Sequence, residues 1–279
     1  MPTDRISGDS IEPLVAEPLV AVHHGMSRRN FVRSGLGAVA ASAVLPACHS
    51  ITGSSGGTPR LNARPGLPTA TPTLGLSQLD LASGRDGILH VPQSYSPDTP
   101  TPLFVALHGA GSDGAGWASY YDRSEERGFI LLAPDSRSGT WDAVRGDFGV
   151  DVEFIDQALG HTFERCRIDP TQLALAGFSD GASYSLSLGV SNGDLFSHLL
   201  GYSPGFLKPA KPMRGQPLLY VSHGLRDAVL SVFSTRNQIV PELRDDGYDV
   251  TYVEFDGGHS VPALVSEDAL DWFYGVEES

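Results

Sequence analysis

A serine lies between two glycines in the stretch Gly-Phe-Ser-Asp-Gly over residues 177–181, directly after the apolar run 173–176. Glycine has no Cβ, so flanking glycines allow a strand to turn sharply into a helix. Residues 182–188 lack glycine and proline, which favours a helix after the turn. The pattern therefore predicts a strand, a tight turn and a helix that present the Ser179 hydroxyl as a candidate nucleophile.

A serine hydroxyl needs a base to take its proton, and the base needs a carboxylate to orient its ring. Asp227 follows the apolar strand pattern 217–221, and His259 follows the alternating pattern 250–255. Both residues are thus expected at the carboxyl ends of strands, where open α/β sheets have their ligand crevices. The order serine, acid, histidine predicts that Ser179, Asp227 and His259 act together.

Ester and amide chemistry at a serine also requires N–H groups aimed at the developing oxyanion. Leu-His-Gly-Ala-Gly over residues 107–111 ends the predicted strand 103–107 and suits this role. We assign one donor to the N–H of Ala110 and the other to the N–H of Asp180, the residue after the nucleophile. His108 and His223 are expected to be structural.

Strand and helix patterns alternate along the rest of the chain. Strands are predicted near residues 79–81, 88–91, 103–107, 130–133, 173–178, 218–221 and 250–255, and helical periodicity occurs over 152–159 and 264–273. This alternation predicts an α/β protein with a doubly wound, mostly parallel sheet and helices on both faces, opened by an antiparallel hairpin around 83–87. With no long insertion in the sequence, we expect little or no lid.

From Leu89 to Trp272 the chain resembles the α/β-hydrolase superfamily, near its phospholipase/carboxylesterase and bacterial predicted-esterase branch. The resemblance lies in the 107–111 loop, the 177–181 elbow, Ser-His-Gly at 222–224 leading to the acid, and Gly-Gly-His at 257–259. It implies the α/β-hydrolase fold and hydrolysis of a small carboxylic ester through an acyl-enzyme. It also implies that no metal or organic cofactor takes part.

Several alternatives remain open at this point. Within the same fold the chain could be a thioesterase, a lysophospholipase or a polyester depolymerase. In a different class, it could be a catalytically inactive, lipid-anchored binding protein, because fold alone does not define activity. Trp117, Tyr120, Tyr121 and Trp141 follow predicted strands, and the pattern allows them either to line a substrate pocket or to pack in the core.

The charge balance argues against a nucleic-acid partner. The chain of 279 residues has 19 basic and 33 acidic residues, giving a formal net charge of -14. Such a surface repels phosphate backbones. The length suits one large catalytic domain preceded by an export segment.

Residues 1–47 are predicted to be an export signal region. Arg28 and Arg29 precede the small, apolar run 35–45, which resembles a bacterial twin-arginine export signal, although an ordinary secretory signal is the alternative. The run falls short of the ~20 apolar residues that span a bilayer. Because the residues before Met26 are acidic, Met26 is a second candidate for the true start.

Leu-Pro-Ala-Cys over residues 45–48 resembles a bacterial lipobox, which implies acylation of Cys48 and a membrane anchor on the periplasmic or outer face. Ordinary signal-peptidase cleavage, giving a secreted protein, is the alternative. Glycine, serine, threonine and proline dominate residues 48–77, which are predicted to be a flexible linker. Residues 78–279 form the predicted catalytic domain, where Cys166 is expected to be a buried, inert thiol.

Overall fold

The computed structural model describes residues 20–21 and 59–276, which form a single nine-stranded sheet with flanking helices. The strands are β1 (Val20–Ala21), β2 (Gly75–Gln78), β3 (Gly87–Val91), β4 (Thr101–Leu107), β5 (Ile130–Pro134), β6 (Ile168–Phe178), β7 (His198–Tyr202), β8 (Leu218–Gly224) and β9 (Val250–Phe255). The helices are α1 (Ser119–Arg127), α2 (Asp142–Arg145), α3 (Val150–Arg165), α4 (Asp180–Ser191), α5 (Val232–Ser234), α6 (Val240–Asp245) and α7 (Ala263–Tyr274). A 3₁₀ turn (Gly114–Trp117) precedes α1, and a π-helical turn (Thr235–Ile239) joins α5 to α6.

The sheet is parallel through its centre and antiparallel at both edges. Its strand order is β1-β9-β8-β7-β6-β4-β5-β3-β2. The six strands from β9 to β5 run parallel, whereas β3 and β2 at one edge and β1 at the other are antiparallel to their neighbours. The central runs 103–107 and 173–176 are buried throughout, as expected for parallel strands covered on both faces. The predicted doubly wound, mostly parallel sheet is confirmed.

The two faces of the sheet bury separate hydrophobic clusters. One cluster contains Ile155 of α3, Leu186 of α4 and Leu243 of α6. The other contains Tyr120 of α1 and Leu270 of α7. Helices therefore cover both faces, and the carboxyl ends of the parallel strands remain at one rim of the sheet. Among the described residues, no helix combines the length and the apolar character needed to cross a membrane.

Three local features differ from the sequence expectations. The first strand of the opening hairpin is β2, and residues 79–86 form its loop because the Asp86 carboxylate accepts hydrogen bonds from the amides of Asp80, Leu81 and Ala82. Strand β7 was not predicted, since its five residues form too short an apolar run to separate from the preceding loop. Helices α3 and α7 both extend beyond the predicted ranges 152–159 and 264–273.

The second part of the predicted flexible linker, residues 59–77, is held against the domain by specific contacts. Leu61 is fully buried in the core, and its amide donates to Asn192 Oδ1 at 2.9 Å. Arg60 pairs with Asp194, and Asp156 accepts from two further backbone amides of this segment. Residues 59–77, which the sequence predicted to be part of a flexible linker, therefore belong with the folded domain.

The predictions for the amino-terminal region fall mainly outside the described residues. Arg28, Arg29, the apolar run 35–45, the alternative start Met26 and Cys48 all lie in that part. Within it, the structure describes only the backbone of β1, which pairs with β9 through Val20 opposite Glu254 and Ala21 opposite Val253.

Helix α4 has a serine on one face at every fourth position, and every residue after its first is buried. Each of these hydroxyls donates to the carbonyl four residues earlier: Ser183 to Ser179, Ser187 to Ser183 and Ser191 to Ser187. Each also accepts from a backbone amide of the segment after β7: Gly205 at 2.8 Å, Lys208 at 2.9 Å and Ala210 at 3.1 Å. This serine ladder attaches residues 205–210 to α4.

Candidate active site

Ser179 lies at the turn between the central strand β6 and helix α4. Its backbone has φ 58° and ψ -119°, a conformation that costs a side-chain-bearing residue about 1–3 kcal/mol. The Ser179 amide donates to Tyr202 O of the neighbouring strand at 2.9 Å, which holds the strained residue in place. The hydroxyl therefore projects from the carboxyl rim of the sheet.

The flanking glycines are required by close backbone contacts. A Cβ on Gly177 would lie 2.1 Å from Gly181 O, and a Cβ on Gly181 would lie 2.2 Å from Leu107 O. Both distances are far below van der Waals contact. The turn therefore needs glycine at both positions. Gly177 allows the close contact with Gly181 within the turn, and Gly181 allows the close contact with the end of β4.

The structure brings Ser179, His259 and Asp227 into one hydrogen-bonded series. Ser179 Oγ lies 2.8 Å from His259 Nε2, and His259 Nδ1 lies 2.6 Å from Asp227 Oδ2. A carboxylate can only accept, so Nδ1 carries the ring proton and Nε2 is free to accept from the serine hydroxyl. Phe178 packs against the imidazole with ring centroids 4.7 Å apart. A base in this state can remove the Ser179 proton.

Asp227 is held as a buried carboxylate by hydrogen-bond donors. Its side chain is fully buried, and Oδ1 accepts from the amides of Val229 at 2.8 Å and Leu230 at 2.9 Å. Burial alone would raise its pKa, but the hydrogen bonds from His259 and from these amides outweigh burial and lower the pKa of Asp227. The carboxylate therefore stays ionised in contact with the imidazole.

A second histidine contacts the same carboxylate. His223 Nε2 lies 3.2 Å from Asp227 Oδ2 and 3.0 Å from Leu230 O, and Nδ1 lies 2.8 Å from the Thr235 hydroxyl. Burial is the main reason that the pKa of His223 is lowered, so the ring is neutral and donates through Nε2. His223 was expected to be only structural, and the Ser-His-Gly-x-x-Asp spacing over residues 222–227 was the sequence signal for its contact with the acid.

The two residues assigned as oxyanion donors, Ala110 and Asp180, lie close to Ser179 in the fold or in the chain. Ala110 lines the same cavity as Ser179 and His259. Asp180 is the first residue of α4, where a helix leaves its N–H groups without intrahelical acceptors. The β4 loop comes so close to the elbow that a Cβ on Gly109 would lie 3.3 Å from Ser179 Cβ.

The cavity has a volume of about 680 Å³ and extends from Ser179 between α1 and α7. Its apolar wall is formed by Trp117, Tyr120, Phe178 and Val261, and Arg123 and Ser266 contribute polar groups. Two of the aromatic residues left open by the sequence therefore face the cavity. The other two pack elsewhere: Tyr121 stacks on His90, and Trp141 packs between His108 and Tyr184.

The described residues contain no group of three or more His, Cys, Asp or Glu side chains placed to hold a metal ion. Cys166 is buried, and burial raises the pKa of its thiol to about 12. This thiol is a poor nucleophile at neutral pH.

Comparisons with known proteins place the chain among esterases, although no family model matches it. It is 24% identical over 223 residues to feruloyl esterase C of Emericella nidulans, covering 68% of this chain and 80% of that protein. It is 29% identical over 229 residues to acyl-protein thioesterase 1 of Gibberella zeae, covering 67% and 94% of the two chains. The solved structure of acetyl xylan esterase from Aspergillus awamori superposes with a TM-score of 0.61 at 18% identity, covering 72% of this chain and 99% of that one.

The fold and these similarities define an esterase-like protein of the α/β-hydrolase fold. The ester hydrolase that the sequence predicts agrees with these similarities.

Proposed function

We propose that Ser179 is the nucleophile, His259 the general base and acid, and Asp227 the residue that orients the imidazole and balances its charge. The observation that carries this proposal is the continuous series of short contacts from Ser179 Oγ through His259 to Asp227. The N–H groups of Ala110 and Asp180 serve as the oxyanion hole. The substrate is a small carboxylic ester.

In this mechanism His259 Nε2 takes the Ser179 proton as Oγ attacks the ester carbonyl. The carbonyl oxygen becomes an oxyanion beside the two N–H groups, which stabilise it because they are already oriented. The intermediate then collapses, and His259 donates its proton to the departing alcohol. Water activated by His259 attacks the acyl-enzyme in the same way and releases the acid.

The cavity between α1 and α7 is the proposed acyl site, and its shape favours an aromatic acyl group. Trp117, Tyr120 and Phe178 provide flat apolar surface beside Ser179. Aromatic rings pack on such surfaces in stacked or edge-on arrangements worth about 0.5–1.5 kcal/mol beyond area burial. The similarity to a feruloyl esterase supports the same substrate class. Thioester hydrolysis is the second candidate, supported by the similarity to acyl-protein thioesterase 1.

The motifs outside the described residues support a proposal on location. We place an export signal over residues 1–47, read by the twin-arginine machinery of a bacterial cell, and a lipid anchor at Cys48, so the mature protein would lack the two-residue edge strand β1. The glycine- and serine-rich residues that follow Cys48 would then tether the enzyme outside the cytoplasmic membrane. Mass spectrometry of the mature protein tests the anchor, since an unmodified Cys48 or cleavage at another site contradicts it.

Labelling with a fluorophosphonate tests the catalytic assignment. We expect the native protein to be labelled and Ser179→Ala to be unlabelled and inactive, with a loss of activity of about 10⁴-fold or more. Ser77→Ala is the matched control, since this serine lies on the edge strand β2, away from the cavity, and should not alter labelling. A folded native sample that neither reacts nor turns over any ester would contradict the assignment and favour a binding protein.

A panel of esters tests the acyl site. Aliphatic p-nitrophenyl esters of increasing chain length are compared with hydroxycinnamate esters and with a matched oxygen ester and thioester pair. We expect Trp117→Ala to raise KM for the aromatic acyl esters more than for the acetyl ester, because the acetyl group does not reach the indole. Equal effects on both would place the acyl group elsewhere.

A further inference from the structure

Both proposed oxyanion donors belong to peptide units whose carbonyl groups are anchored on the opposite side. In a trans peptide the N–H and the preceding C=O point in opposite directions, so fixing one orients the other. Ser179 O accepts from the amides of Ala182 at 3.0 Å and Ser183 at 3.1 Å. The first turn of α4 therefore turns the Asp180 N–H away from the helix.

The second peptide unit is anchored by a side chain instead of a helix. Gly109 O lies 2.7 Å from His108 Nδ1 and also accepts from the Ser112 amide at 3.2 Å. These contacts hold the carbonyl on one side and turn the Ala110 N–H to the other. Since Ala110 lines the cavity beside Ser179, the loop can present this N–H to a bound carbonyl group.

The proton on His108 is positioned by its surroundings. Nε2 accepts from the Ser136 amide at 3.0 Å and faces the Arg85 guanidinium at 3.2 Å. A ring nitrogen that accepts carries no proton, so Nδ1 carries it and donates to Gly109 O. Burial is the main cause that lowers the pKa of His108, which keeps the ring neutral.

Residues 136–141, which follow β5 and which we name the clamp segment, contact the backbone on either side of the Gly109–Ala110 peptide and the side chain of Asp180. Gly139 O accepts from the Gly111 amide at 2.6 Å, and the Trp141 indole donates to His108 O at 2.8 Å. At the other side, the buried Thr140 hydroxyl donates to Asp180 Oδ2 at 2.6 Å. The β4 loop and the start of α4 are thus tied to the same short segment.

We propose that the clamp segment sets the spacing of the two oxyanion N–H groups, with Thr140 as the positioning residue that joins the elbow to the β4 loop. This inference rests on the proposed function, because it takes Ala110 and Asp180 as the donors. The two donors lie on different strand connections of the sheet, so their spacing depends on noncovalent contacts. A misplacement of about 1 Å in such a site can cost about 10²-fold in rate.

Thr140→Val tests the clamp, because valine keeps the shape of threonine and removes only the hydroxyl. We expect kcat for an activated ester to fall about tenfold with KM little changed, since a misplaced donor weakens the transition state more than the bound ester. The second-order rate of Ser179 phosphonylation should fall in parallel, because the phosphonyl oxygen occupies the same hole. Thr140→Ser, which restores the hydroxyl, should recover both rates.

The matched control is Thr162→Val, in which a buried threonine of α3 loses a hydrogen bond to Ala158 O within its own helix. It should leave kcat and the phosphonylation rate unchanged. Asp180→Ala removes the other end of the tie, so the double variant Thr140→Val/Asp180→Ala should lose no more activity than the worse single variant.

The outcomes separate the clamp from the proposed function. Unchanged rates in Thr140→Val, a loss confined to KM, or additive losses in the double variant would overturn the clamp while leaving the Ser179 assignment intact. A loss in Thr140→Val that Thr140→Ser does not restore would also overturn it, since the hydroxyl would then not be responsible. If the native protein hydrolyses no ester, the proposed function fails, and the phosphonylation rates still decide whether Thr140 positions the oxyanion hole.

Discussion

Asp227 Oδ2 is in contact with the donor nitrogens of two histidines: His259 Nδ1 lies 2.6 Å away and His223 Nε2 lies 3.2 Å away. Together with the two amides on Oδ1, four donors surround one fully buried carboxylate. A buried charge is tolerated when every lone pair has a donor. Asp227 can therefore remain ionised and orient His259 without contact with solvent.

Asp227→Asn should abolish most activity without unfolding the protein. The backbone amides of Val229 and Leu230 keep the side-chain oxygen on their side, so the new NH₂ group faces His259. That group donates to Nδ1, which moves the ring proton to Nε2 and leaves His259 unable to accept from Ser179. We expect kcat to fall about 10⁴-fold. Asp256→Asn, an exposed aspartate near the same loop, is the control, and a comparable loss there would contradict the explanation.

Glycine-to-alanine substitutions should have opposite signs at two positions. A methyl group at Gly181 would collide with Leu107 O and His108 O, so Gly181→Ala should destabilise the fold by about 2 kcal/mol or more. Gly160 lies inside α3, where an added methyl group would have no neighbour within 4 Å, and Gly160→Ala should stabilise by about 0.5–1 kcal/mol. Urea unfolding measures both changes. A Gly181→Ala variant as stable as the native protein would contradict the packing at the elbow.

Leu61→Ala should destabilise the protein as a core substitution does. Leu61 is fully buried against the core, so its truncation should cost about 2–5 kcal/mol. Leu67, in the same segment, is 79% exposed, and Leu67→Ala should change stability by less than about 0.5 kcal/mol. Thermal unfolding of the two variants distinguishes a docked segment from a free linker, because a free linker would give two negligible changes.

His198 should make stability depend on pH. Burial against Trp272 and Phe273 lowers the pKa of His198 from 6.5 to about 4. Between these values the unfolded chain binds a proton that the native state does not, so stability falls as pH falls through this range. The full difference is worth about 3 kcal/mol. His198→Gln should remove this component, and denaturant unfolding at pH 7 and pH 4.5 should show a smaller pH difference in the variant. An unchanged difference would contradict a buried neutral imidazole.

Local patterns were enough to predict the mostly parallel sheet, apart from β7 and the exact position of β2, and the candidate reacting residues. The Gly-x-Ser-x-Gly spacing around Ser179 indicates a tight turn by itself, and Asp227 and His259 lie a few residues after strands that an apolar pattern indicates. The docking of residues 59–77 could not be predicted this way, because Leu61 and Arg60 find their partners Asn192 and Asp194 more than a hundred residues later.

The contacts of individual polar side chains could not be predicted from the sequence either. Thr140 is one of many threonines in loops, and only the folded chain brings its hydroxyl to Asp180. His223 lies in a recognisable motif, but the motif does not indicate which atoms the imidazole ring contacts. Side-chain hydrogen bonds between distant segments depend on packing, which sequence periodicity does not encode.

The serine ladder of α4 affects local unfolding of the segment that follows β7, and with it the exchange of backbone amides with solvent. Gly205, Lys208 and Ala210 donate their amides to the hydroxyls of Ser183, Ser187 and Ser191, so these three N–H groups can exchange with solvent only when the ladder separates. The segment lies outside the named helices and strands, yet Gly205, Lys208 and Ala210 belong to the same cooperative unit as the helix that carries the nucleophile. Isotope labelling of these three amides would report on the rigidity of the catalytic helix without disturbing it.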